Sequence, residues 1–238
     1  MKNVIFHHHQ LPILWLCIIT LGVASLTFSS CSKNRITRLK NKSYKKWSAY
    51  QFKAIKESSN RESKKWTIYS RKIRGTSFLE YKIEGDIEAS PKACLAAFRQ
   101  DMLRQAADLN NKKYPTYEVV TMSKDSLLTY VIHNEPFPFR DTEMSVKYVF
   151  FNDENGGAEV RWREGWEESQ VQLSKKLKRV ETFRGAWRFD PTSDNSCEAT
   201  NSVQFDPKGM PLWLVRPMVF KFLKKGLDDI RNTTSKEN

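Results

Sequence analysis

The stretch FLEYKIEGDIEASPKACLAAFRQDMLRQAADL, Phe78 to Leu109, changes its hydrophobic period midway, and that change decides the fold class. In its first half Leu79, Tyr81, Ile83, Gly85 and Ile87 alternate with Glu80, Lys82, Glu84 and Asp86. A period of two is that of a strand with one wet face. Ser90-Pro91 then supplies a helix N-cap and a proline at the first helical position. Leu95, Phe98, Met102, Ala106 and Leu109 follow at helical spacing, and Asn110-Asn111 ends the run. A half-buried strand feeding one amphipathic helix predicts sheet and helix packed face to face, an α+β arrangement.

Outward from this stretch the strand pattern dominates. Upstream, 66–73 reads as the partner of 78–89 across the break Arg74-Gly75-Thr76-Ser77. Downstream, strands are expected at 117–122, 127–134, 142–152, 158–168, 179–190 and 197–206, separated by runs such as Asn155-Gly156-Gly157 and Pro191-Thr192-Ser193-Asp194-Asn195. A second long helix is expected over 211–230, with Lys221, Lys224, Lys225 and Asp228 wet and Val219, Phe222, Leu223, Leu227 and Ile230 facing the sheet. Pro217 removes a backbone donor near its start and invites a hinge.

The charge is unevenly placed. The chain of 238 residues carries a formal +13, yet twelve Lys/Arg lie between Ser32 and Lys65 against only Glu57 and Glu62. From Trp66 onward 27 basic residues face 25 acidic ones. A nearly neutral folded part argues against nucleic acid as the partner. With 39 % hydrophobic residues the chain has enough apolar material for a core.

Residues 1–30 read as a leader: Lys2, then an uncharged apolar run from Leu11 to Thr27. His7-His8-His9 precedes that run and is not expected to hold a metal. Leu26-Thr27-Phe28-Ser29-Ser30-Cys31 resembles a bacterial lipoprotein lipobox, which implies cleavage before Cys31 and lipids on its sulfur. Phe28 departs from the leucine usual three places before the cysteine. Ser32 after the cysteine resembles lipoproteins sorted to an outer membrane, placing the protein on its periplasmic face. The basic residues after the apolar run favour the alternative of an uncleaved inner-membrane anchor. Residues 31–65 form a basic tether, with one helix over 48–58, whose Lys/Arg lie either on anionic headgroups or in solvent. Residues 66–231 form the domain and 232–238 a short tail. Of the cysteines outside the leader and Cys31, Cys94 and Cys197 either pair in an oxidising compartment or stay as buried thiols.

The order of elements resembles the helix-grip fold of the START-type lipid-binding superfamily, a curved antiparallel sheet wrapped around a long C-terminal helix. The likeness spans 66–231 and rests on three segments: Glu84-Gly85-Asp86-Ile87-Glu88-Ala89-Ser90-Pro91-Lys92, Glu135-Pro136-Phe137-Pro138-Phe139-Arg140-Asp141, and Asp206-Pro207-Lys208-Gly209-Met210-Pro211-Leu212-Trp213-Leu214-Val215. It implies a cavity between sheet and last helix for a lipid or sterol-like apolar ligand. The inward rows fit either such a cavity or a plain core: Met144, Val146, Tyr148, Phe150; Ala158, Val160, Trp162, Trp166; Phe183, Trp187, Phe189; Cys197, Ala199, Val203, Phe205. Glu164, Glu181 and Asn201 break these rows, and an inward carboxylate needs a ligand head group or an internal ion pair. The expected ligand contacts are Tyr148, Phe150, Trp162, Glu164, Trp166, Phe183, Trp187, Asn201, Met210 and Trp213, the last two where a lipid would pass.

No catalytic triad, G-x-S-x-G or phosphate loop occurs, and no enzyme, metal or cofactor is expected. His133 with Glu164 is the one acid–base pair a cavity enzyme could use. A docking module of an envelope assembly, with a filled core and a protein partner, is the other alternative.

Overall fold

The computed structural model describes residues 49–236, apart from 60, 61, 63, 136–138, 172–175 and 207–209. The leader, Cys31 and the tether up to residue 48 therefore lie outside the described residues, as do parts of two of the three motifs.

The first element is not the helix expected over 48–58 but a strand, β1 (Lys53–Glu57), antiparallel to β2 (Thr67–Lys72). The sheet thus begins at Lys53, thirteen residues before Trp66. Every side chain of β1 is exposed, so no hydrophobic alternation marks it; its backbone bonds to β2 hold it at the edge.

β3 (Leu79–Ile87) and the helix α1 (Pro91–Ala107) form as their periods dictate. The Ser90 hydroxyl accepts the Ala93 N–H at 3.3 Å, and Cys94, Leu95, Ala97 and Met102 are buried. Leu109 does not continue the apolar face. The helix ends at Ala107, where the Asp108 carboxylate accepts the Asn110 N–H, a local bond that competes with another helical turn, and Leu109 is 93 % exposed.

The chain then runs through β4 (Thr116–Met122), β5 (Ser126–His133), β6 (Thr142–Asn152) and β7 (Ala158–Glu164). β7 stops four residues short of the expected end. At Gly165 the backbone donates to the Ser145 carbonyl, and Trp166 opens the short helix α2 (Trp166–Ser169) instead of continuing the strand. The strand expected over 179–190 is two pieces. Lys178–Arg179 is β8, pairing parallel with β6, and Phe183–Ser193 is β9; Glu181 lies exposed between them and not on an inward row. β10 (Ser196–Phe205) closes a hairpin with β9.

The strand order β1-β2-β3-β10-β9-β7-β6-β5-β4 is antiparallel throughout, with β8 appended to β6. α1 packs on β4, β7 and β9, and the last helix, α3 (Leu212–Thr234), packs on β3, β10 and α1. This is the expected α+β architecture, a curved antiparallel sheet holding a long C-terminal helix.

α3 passes through Pro217 and runs four residues beyond Ile230 into the segment read as a tail. Val215, Val219, Leu223, Leu227 and Ile230 form its buried stripe, while Phe222, expected on that stripe, is largely exposed. Arg231, 3 % exposed, extends the stripe with a charge: its guanidinium donates to the Asp86 carbonyl at 2.8 and 2.9 Å and to the Lys65 carbonyl at 2.9 Å. Burial pulls its pKa down, against the pull of Asp228.

Candidate functional site

Strand pairing assembles the concave face. Phe150, Val160, Trp187, Asn201, Ile83 and Ile68 fall in one row across six strands, and Tyr148, Trp162, Gly185, Val203 and Tyr81 in the next. Gly185 is required there. A Cβ at that position would stand 2.2 Å from the Ser202 carbonyl oxygen and 2.4 Å from the Trp162 ring, so the indole lies down on the bare backbone. Tyr148, Phe150, Trp162, Phe183, Trp187 and Asn201, six of the ten expected contacts, are gathered on this face.

The face is covered by ring-on-ring packing. Phe98 of α1 stacks on Trp162 at 6.4 Å between centroids, and Tyr148 and Phe183 flank the indole at 6.2 and 6.1 Å. Burial drives the Tyr148 hydroxyl pKa well above its usual value. Three buried polar atoms here, Tyr81 Oη, Trp162 Nε1 and Asn201 Oδ1, have no hydrogen-bond partner among the described residues.

Glu164 shares the register of Val146, with its side chain 12 % exposed. Its carboxylate accepts the Phe183 N–H at 2.8 Å and the Arg184 guanidinium at 2.8 and 3.1 Å; Arg184 is largely exposed, so this is an ion pair at the protein surface that answers the carboxylate without a ligand head group. Trp166, off the strand, donates to the Val180 carbonyl at 3.1 Å beneath the Arg179 guanidinium. Met210 is half-buried against the core, and Trp213 is 75 % exposed at the start of α3.

His133 does not face Glu164. It opposes Thr142, four positions along β6 from the Val146 that opposes Glu164, about 13 Å away. Its Nδ1 lies 2.7 Å from the Glu135 carboxylate, which also accepts the Thr142 hydroxyl at 3.0 Å. Burial raises the Glu135 pKa, but these bonds outweigh it and hold the carboxyl below its ordinary value. A buried carboxylate the sequence did not single out is Glu143, 1 % exposed, which accepts the Tyr130 hydroxyl at 3.0 Å. Burial, then Glu143, push that phenol up to about 12.

An open groove of about 640 Å³ lies elsewhere, between the β1–β2 edge and the first half of α3. Trp66, Ile68, Phe220, Pro217 and Trp213 form its apolar lining; Lys56, Arg216, Lys221 and Lys224 supply its cations. Lys56 Nζ sits 5.5 Å from the Phe220 ring centroid, and Lys224 pairs with Asp228 at 2.8 Å. Of the expected contacts only Trp213 lines it. The signal that could have found the rest is the basic–aromatic spacing of Trp213, Arg216, Pro217, Phe220, Lys221 and Lys224, one face of a helix. Lys56 was hidden in a segment read as tether.

No protein-family model matches the chain, and no curated protein matches it. Solved structures do. A STAR-related lipid transfer protein fragment from Xanthomonas axonopodis aligns over 77 % of this chain and 98 % of its own, with TM-score 0.61 and 17 % identity. Human StAR-related lipid transfer protein 5 aligns over 85 % and 94 %, with TM-score 0.62 and 10 % identity. The chain has the START helix-grip fold, as the order of its elements and its three motifs led us to expect.

The exclusion of an enzyme does not stand. Matched structures include a norcoclaurine synthase from Thalictrum flavum (TM-score 0.43, 16 % identity, 74 % of this chain and 99 % of that one) and an aromatase/cyclase from Streptomyces (TM-score 0.42, 9 % identity, 66 % and 92 %). The fold alone does not separate carriers from catalysts.

Proposed function

We propose that this chain binds a lipid between its sheet and α3, as a carrier or sensor held at a bacterial membrane by acyl chains on Cys31. The observation that carries the reading is the groove of about 640 Å³ between the sheet edge and the last helix, with an apolar floor under a basic rim and within the usual size of ligand sites, on a fold shared with lipid transfer proteins. Leu212, Trp213, Met218 and Phe222 stand exposed along the first half of α3, where apolar side chains can meet a bilayer. Several acyl chains on Cys31 would keep that helix near the surface it samples, since a single chain binds only marginally. The lipobox-like segment and Ser32 support placement on the periplasmic face of an outer membrane.

A second reading has an observation of its own. Phe98 fills the aromatic face that a deep cavity would need, as a docking module with a filled core would have it. Transfer of fluorescently labelled lipid from donor to acceptor liposomes by the full chain separates the two. Transfer above the spontaneous rate supports the carrier; none, with no lipid retained on the protein, supports the docking module.

A further inference from the structure

We propose that the groove between β1–β2 and α3 selects an anionic single-chain amphiphile, a fatty carboxylate or alkyl phosphate, over a neutral lipid; this rests on the lipid-binding reading above. Lys56, Arg216, Lys221 and Lys224 border the groove, and no carboxylate lines it. Asp228 answers Lys224, whereas Arg216 and Lys221, five residues apart on α3, have no carboxylate partner among the described residues. Lys56 reaches over the rim from the opposite wall, its ammonium 5.5 Å from the Phe220 ring centroid.

The walls and the rim ask for different halves of one molecule. Trp66, just before β2, Ile68 of β2 and Phe220 of α3 form the apolar floor against which an alkyl chain would lie. A head group emerging beside Arg216 and Lys221 meets two flexible cations, one of them a planar guanidinium suited to carboxylate or phosphate oxygens. A hydroxyl or sterol head would leave those cations unanswered. A protein cut at Trp66 would lose β1 and with it the Lys56 wall, so the site belongs to the longer domain.

The test is a pair of probes with one chain length, laurate and 1-dodecanol, each kept monomeric and titrated into the full chain while its intrinsic tryptophan fluorescence, to which the groove's Trp66 and Trp213 contribute, is read. Laurate is expected to bind at least about tenfold more tightly at low salt, with the advantage shrinking at high salt. The double variant Arg216→Glu with Lys221→Glu, both exposed, is expected to melt as the parent does and to bind laurate no more tightly than dodecanol. Equal affinity for the two probes in the parent overturns the anionic preference and leaves lipid binding standing. Binding of neither probe overturns the lipid reading itself. A preference that survives in the double variant overturns the assignment to this groove. Binding to vesicles of anionic phospholipid but not to monomeric laurate overturns it in favour of a bilayer-docking face.

Discussion

Cys94 Sγ on α1 and Cys197 Sγ on β10 lie 3.6 Å apart, both fully buried, 103 residues apart in sequence. Either sulfur can donate to the other, and the contact between them holds the Cys94 thiol up and the Cys197 thiol down. Neither has another described polar task beyond a long contact from Cys94 to the Ala89 carbonyl. The two helix-to-sheet thiols are placed to be one covalent tie.

Unfolding the full chain and refolding it in a glutathione redox buffer is therefore expected to close a Cys94–Cys197 disulfide. Two protons and two electrons leave the thiols, and oxidised glutathione takes them up as two thiols. Because both sulfurs are buried, the folded reduced protein should oxidise far more slowly than the refolding chain. A closed loop of this length adds about 2–4 kcal/mol and raises Tm by on the order of 10 °C. Intact mass and thiol labelling after denaturation, with the labelled cysteines located by peptide mapping, read the result; label on both Cys94 and Cys197 at equilibrium in the oxidising buffer would refute it.

Arg231 is expected to be the most sensitive position on α3. Arg231→Met leaves the Asp86 and Lys65 carbonyls without their shared donor at the end of the helix–sheet seam. The loss is about 2–3 kcal/mol, read by denaturant unfolding. Arg231→Lys recovers only part, because one ammonium cannot span both carbonyls.

Much of this was legible because period and caps survive into the fold. The switch at Ser90-Pro91 set α1, and the alternations of β3, β6, β7 and β9 placed Tyr148, Phe150, Trp162 and Trp187 on one face. β1 was not legible, since an edge strand held only by backbone bonds needs no apolar side. Arg231 was not either: its partners are backbone carbonyls 145 and 166 residues away, which no local pattern encodes. The groove likewise joins Lys56 to Arg216, on elements at opposite ends of the domain's sequence, so its two walls could not be read as one site.

The stability of the protein should fall in acid partly through Glu135. Its folded pKa is lowered, so its contribution is present above the ordinary carboxyl pKa near 4.5 and is lost as pH drops through the lower folded value. Glu135→Gln is expected to make the acid limb of the stability curve shallower, by under about 1 kcal/mol, because burial of the carboxyl offsets part of what its His133 and Thr142 partners contribute. Denaturant unfolding at pH 7 and at pH 3 gives the difference; an unchanged slope would rule the effect out.

Trp213→Asp is expected to slow lipid uptake from liposomes several-fold while leaving the melting temperature unchanged, because the side chain is mostly in solvent and packs little. Uptake at the parent rate would remove the start of α3 from the path of the lipid.

The most direct measurement is native mass spectrometry of the full chain, released from detergent in the gas phase, with extraction and identification of what it carries. Lipid binding between sheet and α3 predicts a non-covalent lipid near one per chain, lost on activation while any covalent acyl chains remain. A chain that carries no such lipid, and still carries none after incubation with mixed liposomes, would contradict it.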